Sequence, residues 1–126
     1  MKSLRTKLTA LALPLALAAT ALITAPTASA AETGAAAYCP QPAHQNKDSD
    51  FSWIWSSLGS APLRSGPSSD CPTVVNVYPD TKFFFHCYWV NKYGNAWTFV
   101  RIEGTQIYGW MYEGNIGWGG SAEPCD

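Results

Sequence analysis

The chain is short of the groups on which most chemistry depends. It has only two histidines, and just 13% of its 126 residues are charged. It has no C-x-x-C pair, so His44 and His86 have no cysteine pair with which to complete a zinc site. No G-x-S-x-G elbow precedes a helix, and "RSGPSS" does not supply one. The pair Asp48-x-Asp50 begins like a calcium loop, but no glycine or glutamate follows at the required spacing. Glu103 and Glu113 lie beside glycines in expected turns, where acids are common without catalytic work, and Glu123 follows near the end of the chain. His86 lies between Phe85 and Cys87 and reads as a strand residue packed against aromatics; His44 reads as solvated. The expectation is a protein with no catalytic residue, no metal and no cofactor.

Long apolar runs are also missing, except at the start. Lys2, Arg5 and Lys7 precede an apolar stretch from Leu8 to about Ile23, and Ala28 and Ala30 form an A-x-A site. This pattern is that of a secretory signal peptide, residues 1–30, cut after Ala30. Pro14 and Pro26 and the shortness of the run disfavour a membrane anchor. The mature chain is expected to be secreted and extracellular, with no membrane attachment. Its 96 residues suffice for one domain. Removing the three signal cations leaves five Lys and Arg against nine Asp and Glu, a net charge of −4. Such a chain lacks the basic stripe that nucleic acids require, and it gains no long-range attraction to anionic surfaces.

All four cysteines, Cys39, Cys71, Cys87 and Cys125, belong to the mature part. An even number in a small exported domain implies two disulfides. Residues 31–50 are alanine-rich and then polar, and read as an N-terminal arm ordered only where Cys39 ties it down. Nearly all the aromatics lie from Phe51 onward, and residues 51–126 are expected to form the folded domain. Short strands are expected in "FSWIW", "SAPLR", "TVVNVY", "KFFFHCYW", "AWTFVRI" and "QIYGWMY", and "EGNIGWGGS" reads as glycine-rich turns with one short strand around Ile116. Pro79-Asp80, "NKYGN" and "EGT" supply turns. No 3.6-residue period follows residue 31, so helix should be scarce, and an antiparallel sandwich or small barrel is expected.

A hairpin about Pro79 would pair Val74–Tyr78 with Thr81–Tyr88. With a three-residue loop, its register sets Cys71 opposite Cys87, within disulfide reach. That leaves Cys39–Cys125 to clasp the ends. In the loop-entropy model the two bonds would contribute about 3 and about 4.5 kcal/mol.

Four pieces in order, "PLRSGPSS" at 62–69, "TVVNVYPDTKFFFHC" at 73–87, "GNAWTFVRI" at 94–102 and "YGWMYEGNI" at 108–116, resemble the bacterial Src-homology-3-type (SH3b) domain of secreted proteins. Pro62, Met111 and the flanking cysteines depart from its pattern. The resemblance implies an all-β, SH3-like antiparallel barrel of five to six short strands. In it Leu63 points inward, Arg64 ends its strand, and Ser65-Gly66-Pro67-Ser68 makes a structural bend in which Gly66 supplies backbone freedom. It also implies a non-catalytic binding module whose groove lies between the first loop and the loop joining the middle strands. Carried over, the ligand-binding residues are Ser68, Asp70, Tyr88, Tyr93, Asn95, Trp97 and Tyr112. The implied partners are a cell-wall peptide or glycan, or a secreted protein; the alternative is a structural or inhibitory secreted protein without wall binding.

Overall fold

The computed structural model describes residues 37–126, and the signal peptide read at 1–30 lies outside the described residues. Six strands are formed: β1 (Phe51–Ser52), β2 (Ala61–Arg64), β3 (Thr73–Val77), β4 (Phe83–Val90), β5 (Ala96–Ile102) and β6 (Tyr108–Tyr112). A 3-10 turn, Glu113–Asn115, follows β6. Each strand except β2 lies within a run rich in β-branched or aromatic residues, and Gly94 and Gly104 take positive φ in the two tight turns that flank β5. The strands form one antiparallel sheet in the order β1-β4-β5-β6-β2-β3.

The sheet curls into a half-barrel. One buried cluster unites Leu63 of β2, Val77 of β3, Phe83 and Phe85 of β4, Val100 of β5 and Met111 of β6, so every strand but β1 fills the same concave core. Ile54 and Ile116 close one end of it through an isolated bridge, which is the strand contact expected around Ile116. Leu63 is fully buried and Arg64 ends β2, as the sequence suggested.

The convex face has its own cluster, built from Cys87, Trp97, Phe99, Trp110 and Cys125. A register shift explains how β4 feeds both. Phe85 pairs with Val100, but Cys87 pairs with Phe99, so His86 is the extra residue of a bulge. One extra residue reverses the alternation of side chains. Phe83 and Phe85 therefore point into the half-barrel, whereas Cys87 points out beside Phe99.

This arrangement corrects the expected disulfides. The bonds are Cys39–Cys71, with Cα atoms 4.9 Å apart, and Cys87–Cys125, with Cα atoms 4.8 Å apart. The pairing Cys71–Cys87 required β3 and β4 to form a hairpin. The chain does turn at Pro79-Asp80, where Thr81 N–H donates to the Tyr78 carbonyl, but the strands on either side separate. β3 pairs with β2 through Val77↔Ala61 and Val75↔Leu63, while β4 is flanked by β1 and β5. Cys71 is thus left in the β2–β3 loop, where it meets Cys39. Cys87 meets Cys125 because the last residues run parallel to β4, with Tyr88 bridged to Pro124.

Residues 37–50 contain no helix or strand, yet they are held at more points than Cys39. Lys47 N–H donates to the His86 carbonyl and Phe85 N–H to the Asp50 carbonyl. Asp48 accepts from the Ser121 hydroxyl at 2.6 Å. His44 is exposed at its rim, but its ring is stacked on Phe99 with 3.7 Å between centroids. Among the described residues no helix is long and apolar enough to cross a membrane.

Candidate functional site

Where the aromatic convex face meets two loops, a cavity of about 200 Å³ opens. Trp97 at the start of β5 and Tyr112 at the end of β6 stand on paired positions, their rings 5.5 Å apart. Tyr93 and Asn95 come from the β4–β5 loop, Ser69 from the β2–β3 loop, Pro62 and Arg64 from β2, and Asn115 from the 3-10 turn.

Asn91 sets the geometry of the β4–β5 loop. It is buried, its Oδ1 accepts from the N–H groups of Tyr93 and Asn95 at 3.0 and 3.1 Å, and its Nδ2 donates to the Pro67 carbonyl at 3.0 Å. One side chain thus shapes the turn and pins it to the β2–β3 loop. Tyr38 braces the same turn from outside. Its hydroxyl accepts from Lys92 N–H at 3.1 Å, and its ring meets Tyr93 edge-on at 5.4 Å. The Lys92 ammonium lies 4.2 Å above the Tyr38 ring, a cation–π contact. Tyr93 itself is 61% exposed, so the brace orients the ring without burying it.

Four of the seven residues inferred from sequence, Tyr93, Asn95, Trp97 and Tyr112, line this cavity together. The other three do not. Ser68 is buried, and its hydroxyl accepts from Asp70 N–H at 3.2 Å, which makes it part of the bend. Asp70 is exposed beyond the rim. Tyr88 lies on β4 opposite Thr98, where its backbone bonds to Glu123 and Cys125. Sequence reasoning missed Pro62, Arg64, Ser69, Asn91 and Asn115. Asn91 was visible as the first residue of "NKYGN", since asparagine readily bonds backbone groups two residues on.

Arg64 is the only charged residue of the lining, and one of its nitrogens is engaged by the Cys71 carbonyl at 2.9 Å. The Trp97 indole N–H is buried and has no acceptor among the described residues. The rest of the lining offers aromatic faces, amides and hydroxyls. Such a surface binds by stacking and neutral hydrogen bonds.

The two histidines belong to a separate depression with Phe99 and Tyr108. His86 meets those rings edge-on at 5.6 and 5.7 Å, the aromatic packing expected of it. Burial lowers the pKa of both histidines, and for His86 the neighbouring Arg101 and His44 lower it further. Glu103 pairs with Lys82 at 3.5 Å. Glu113 accepts from the Thr98 hydroxyl at 2.7 Å; burial raises its pKa, and the hydrogen bond partly offsets this. Among the described residues no three His, Cys, Asp or Glu side chains gather as a metal site would need.

Comparison of the chain with protein-family models, curated proteins and solved structures gives no match.

Proposed function

We propose that the protein is an exported, non-catalytic binding module of the bacterial Src-homology-3 type, and that it holds a short cell-wall peptide in the cavity between Tyr93 and Tyr112. The observation that carries this reading is the convergence of Tyr93, Asn95, Trp97 and Tyr112 on one concave surface beside Asn115 and Ser69. Aromatic walls take the side chains of an extended peptide, and the amides of Asn95 and Asn115 suit its backbone groups. Two disulfides and the signal-like residues 1–30 support export with cleavage after Ala30. The acidic balance of the mature chain favours an uncharged or weakly charged segment over an anionic polymer.

Sedimentation with purified bacterial cell wall tests the proposal. The protein is expected to co-sediment, and Tyr93→Ala and Tyr112→Ala to weaken its sedimentation while melting as the parent does. Wall stripped of its peptides by an amidase should lose the part of binding that these tyrosines control. Failure to sediment, or tyrosine variants that bind like the parent, would sink the reading.

A further inference from the structure

Three tryptophans lie outside the cavity of Tyr93 and share a second surface. Trp53 and Trp55 follow β1, and the chain returns beside them after the 3-10 turn. Gly117 N–H donates to the Trp53 carbonyl at 2.8 Å and Trp55 N–H to the Asn115 carbonyl at 3.0 Å. This ladder carries Trp118 to within 5.5 Å of Trp55, ring centroid to ring centroid.

Trp118 is unusual in two ways. Its φ is 70°, and it is the one non-glycine residue with positive φ among those described. A side chain in that region is strained, and strain persists only where something else compensates for it. Packing does not, because Trp118 is 90% exposed, while Trp53 and Trp55 are each 40% exposed. The fold therefore holds a large apolar ring in water, in an unfavourable backbone conformation, between Gly117 and Gly119.

Two clefts adjoin at this ring. One, of about 280 Å³, runs between Trp55 and Pro79; the other, of about 350 Å³, runs past Phe51 toward Gly120. They share Ser52, Trp53, Gly117 and Trp118, so both indoles stand where the clefts meet. No Lys or Arg lines either cleft, and Asp50 is the only charged residue in the pair. The Lys82 ammonium stands 3.9 Å over the ring of Phe51, which lines the second cleft, but it is paired with Glu103, and the surplus of acids over bases in residues 31–126 also disfavours an anionic ligand. A neutral sugar chain matches the chemistry. The C–H face of a pyranose stacks on an indole, and its hydroxyl rim can bond to indole N–H, the Ser56 hydroxyl and the Asp50 carboxylate. Two clefts in series fit successive rings of one chain.

We propose that Trp53, Trp55 and Trp118 form a stacking site for a neutral glycan, with consecutive sugar rings lying on either side of Trp53 and Trp118. The site is independent of the peptide cavity, and its test needs no peptide.

The test titrates the protein with chitohexaose and with cellohexaose, both neutral hexasaccharides, and with an oligogalacturonate of equal length as the anionic control. Tryptophan fluorescence and calorimetry are the readouts. At least one neutral hexamer is expected to bind saturably and with little salt dependence, while the galacturonate does not. Trp118→Gly should weaken binding about tenfold or more, yet melt no lower than the parent, because glycine accepts positive φ. Trp55→Ala should weaken it as well, and Tyr93→Ala should leave it unchanged. The proposal is overturned if neither neutral hexamer binds, if Trp118→Gly binds like the parent, or if Tyr93→Ala abolishes binding. It is equally overturned if the parent forms a dimer that Trp118→Gly dissolves, since the face would then serve self-association.

Discussion

Gly66 lies directly against Cys71: a Cβ built on the glycine would come within 2.6 Å of the Cys71 sulfur. The same atom would be 2.7 Å from the Pro40 carbonyl oxygen and 2.8 Å from the Cys39 sulfur. The bend "RSGPSS" thus needs glycine for room beside the Cys39–Cys71 bond. Backbone freedom, the reason suggested by the sequence, is not the operative one, because Gly66 is absent from the positive-φ glycines.

Gly66→Ala is accordingly expected to destabilise the protein by about 1–3 kcal/mol, the range for forcing a methyl into a packed site. Urea unfolding measures it. Combining the change with Cys39→Ala and Cys71→Ala should give less than the sum of the separate costs, since two of the three clashing atoms are then gone. Full additivity would show that the clash lies elsewhere.

The bond pattern can be read by non-reducing digestion and mass spectrometry. A peptide containing Cys39 should be linked to one containing Cys71, and Cys87 to Cys125, with no free thiol. Breaking either bond should cost about 2–5 kcal/mol of stability. A Cys71–Cys87 peptide would restore the hairpin that the sheet order contradicts.

That hairpin shows what was legible in the sequence and what was not. β5 occupies the run "AWTFVRI" from end to end, β2, β3 and β6 fall inside the other expected runs, and β4 overlaps "KFFFHCYW" but runs one residue further, to Val90. Local composition and turn residues decide where strands are. Which strands pair is decided by packing across the whole sheet. Val75 and Val77 find Leu63 and Ala61, whereas the eight residues of β4 take β5 as their main neighbour. Nothing near Pro79 encodes that choice. The bulge at His86 is equally silent, although it sends Cys87 to the convex face and so fixes one disulfide. The site was partly legible for the same reason. Tyr93, Asn95, Trp97 and Tyr112 flank one turn and one strand pair, so their order along the chain reflects their neighbourhood. Ser68 and Asp70 lie in the β2–β3 loop, whose path the sequence does not encode, and Tyr88 pairs with Thr98, so strand alternation puts it on the face opposite to Trp97.

The histidines predict a pH dependence of known sign. His44 and His86 both titrate below the usual histidine value in the folded protein, chiefly through burial. The unfolded chain therefore binds their protons first. Their contribution to stability is complete above the ordinary histidine pKa of about 6.5 and is lost as pH falls through the depressed folded values. Glu113, whose folded pKa is raised, acts in the opposite sense, because its contribution is present at low pH and lost as pH rises. The melting temperature should therefore drop between neutral pH and the lower end of the histidine range, and His86→Gln should shrink that drop. Arg101→Gln should move the His86 titration, followed by NMR, toward the ordinary value. An unchanged His86 titration in that variant would remove Arg101 from the account.

Trp97 and Tyr93 line the same cavity but differ in what they support. Trp97 is 4% exposed and packs within the convex cluster, whereas Tyr93 is 61% exposed and rests only on Tyr38 and Lys92. Trp97→Ala should cost about 3–5 kcal/mol of stability, as deletion of a buried tryptophan does. Tyr93→Ala should cost the fold little, because an exposed ring loses little on truncation. If the cavity holds a wall peptide, Tyr93→Ala should instead weaken binding by about 1–2 kcal/mol, and the loss should vary little with salt, since stacking and neutral hydrogen bonds carry the contact. Melting temperature and wall affinity measured on the same two variants separate these roles. A Tyr93 variant that melts early but binds normally would make the ring a structural brace for the β4–β5 loop. Binding abolished by moderate salt would point to Arg64, the one charged residue of the lining, as the main contact.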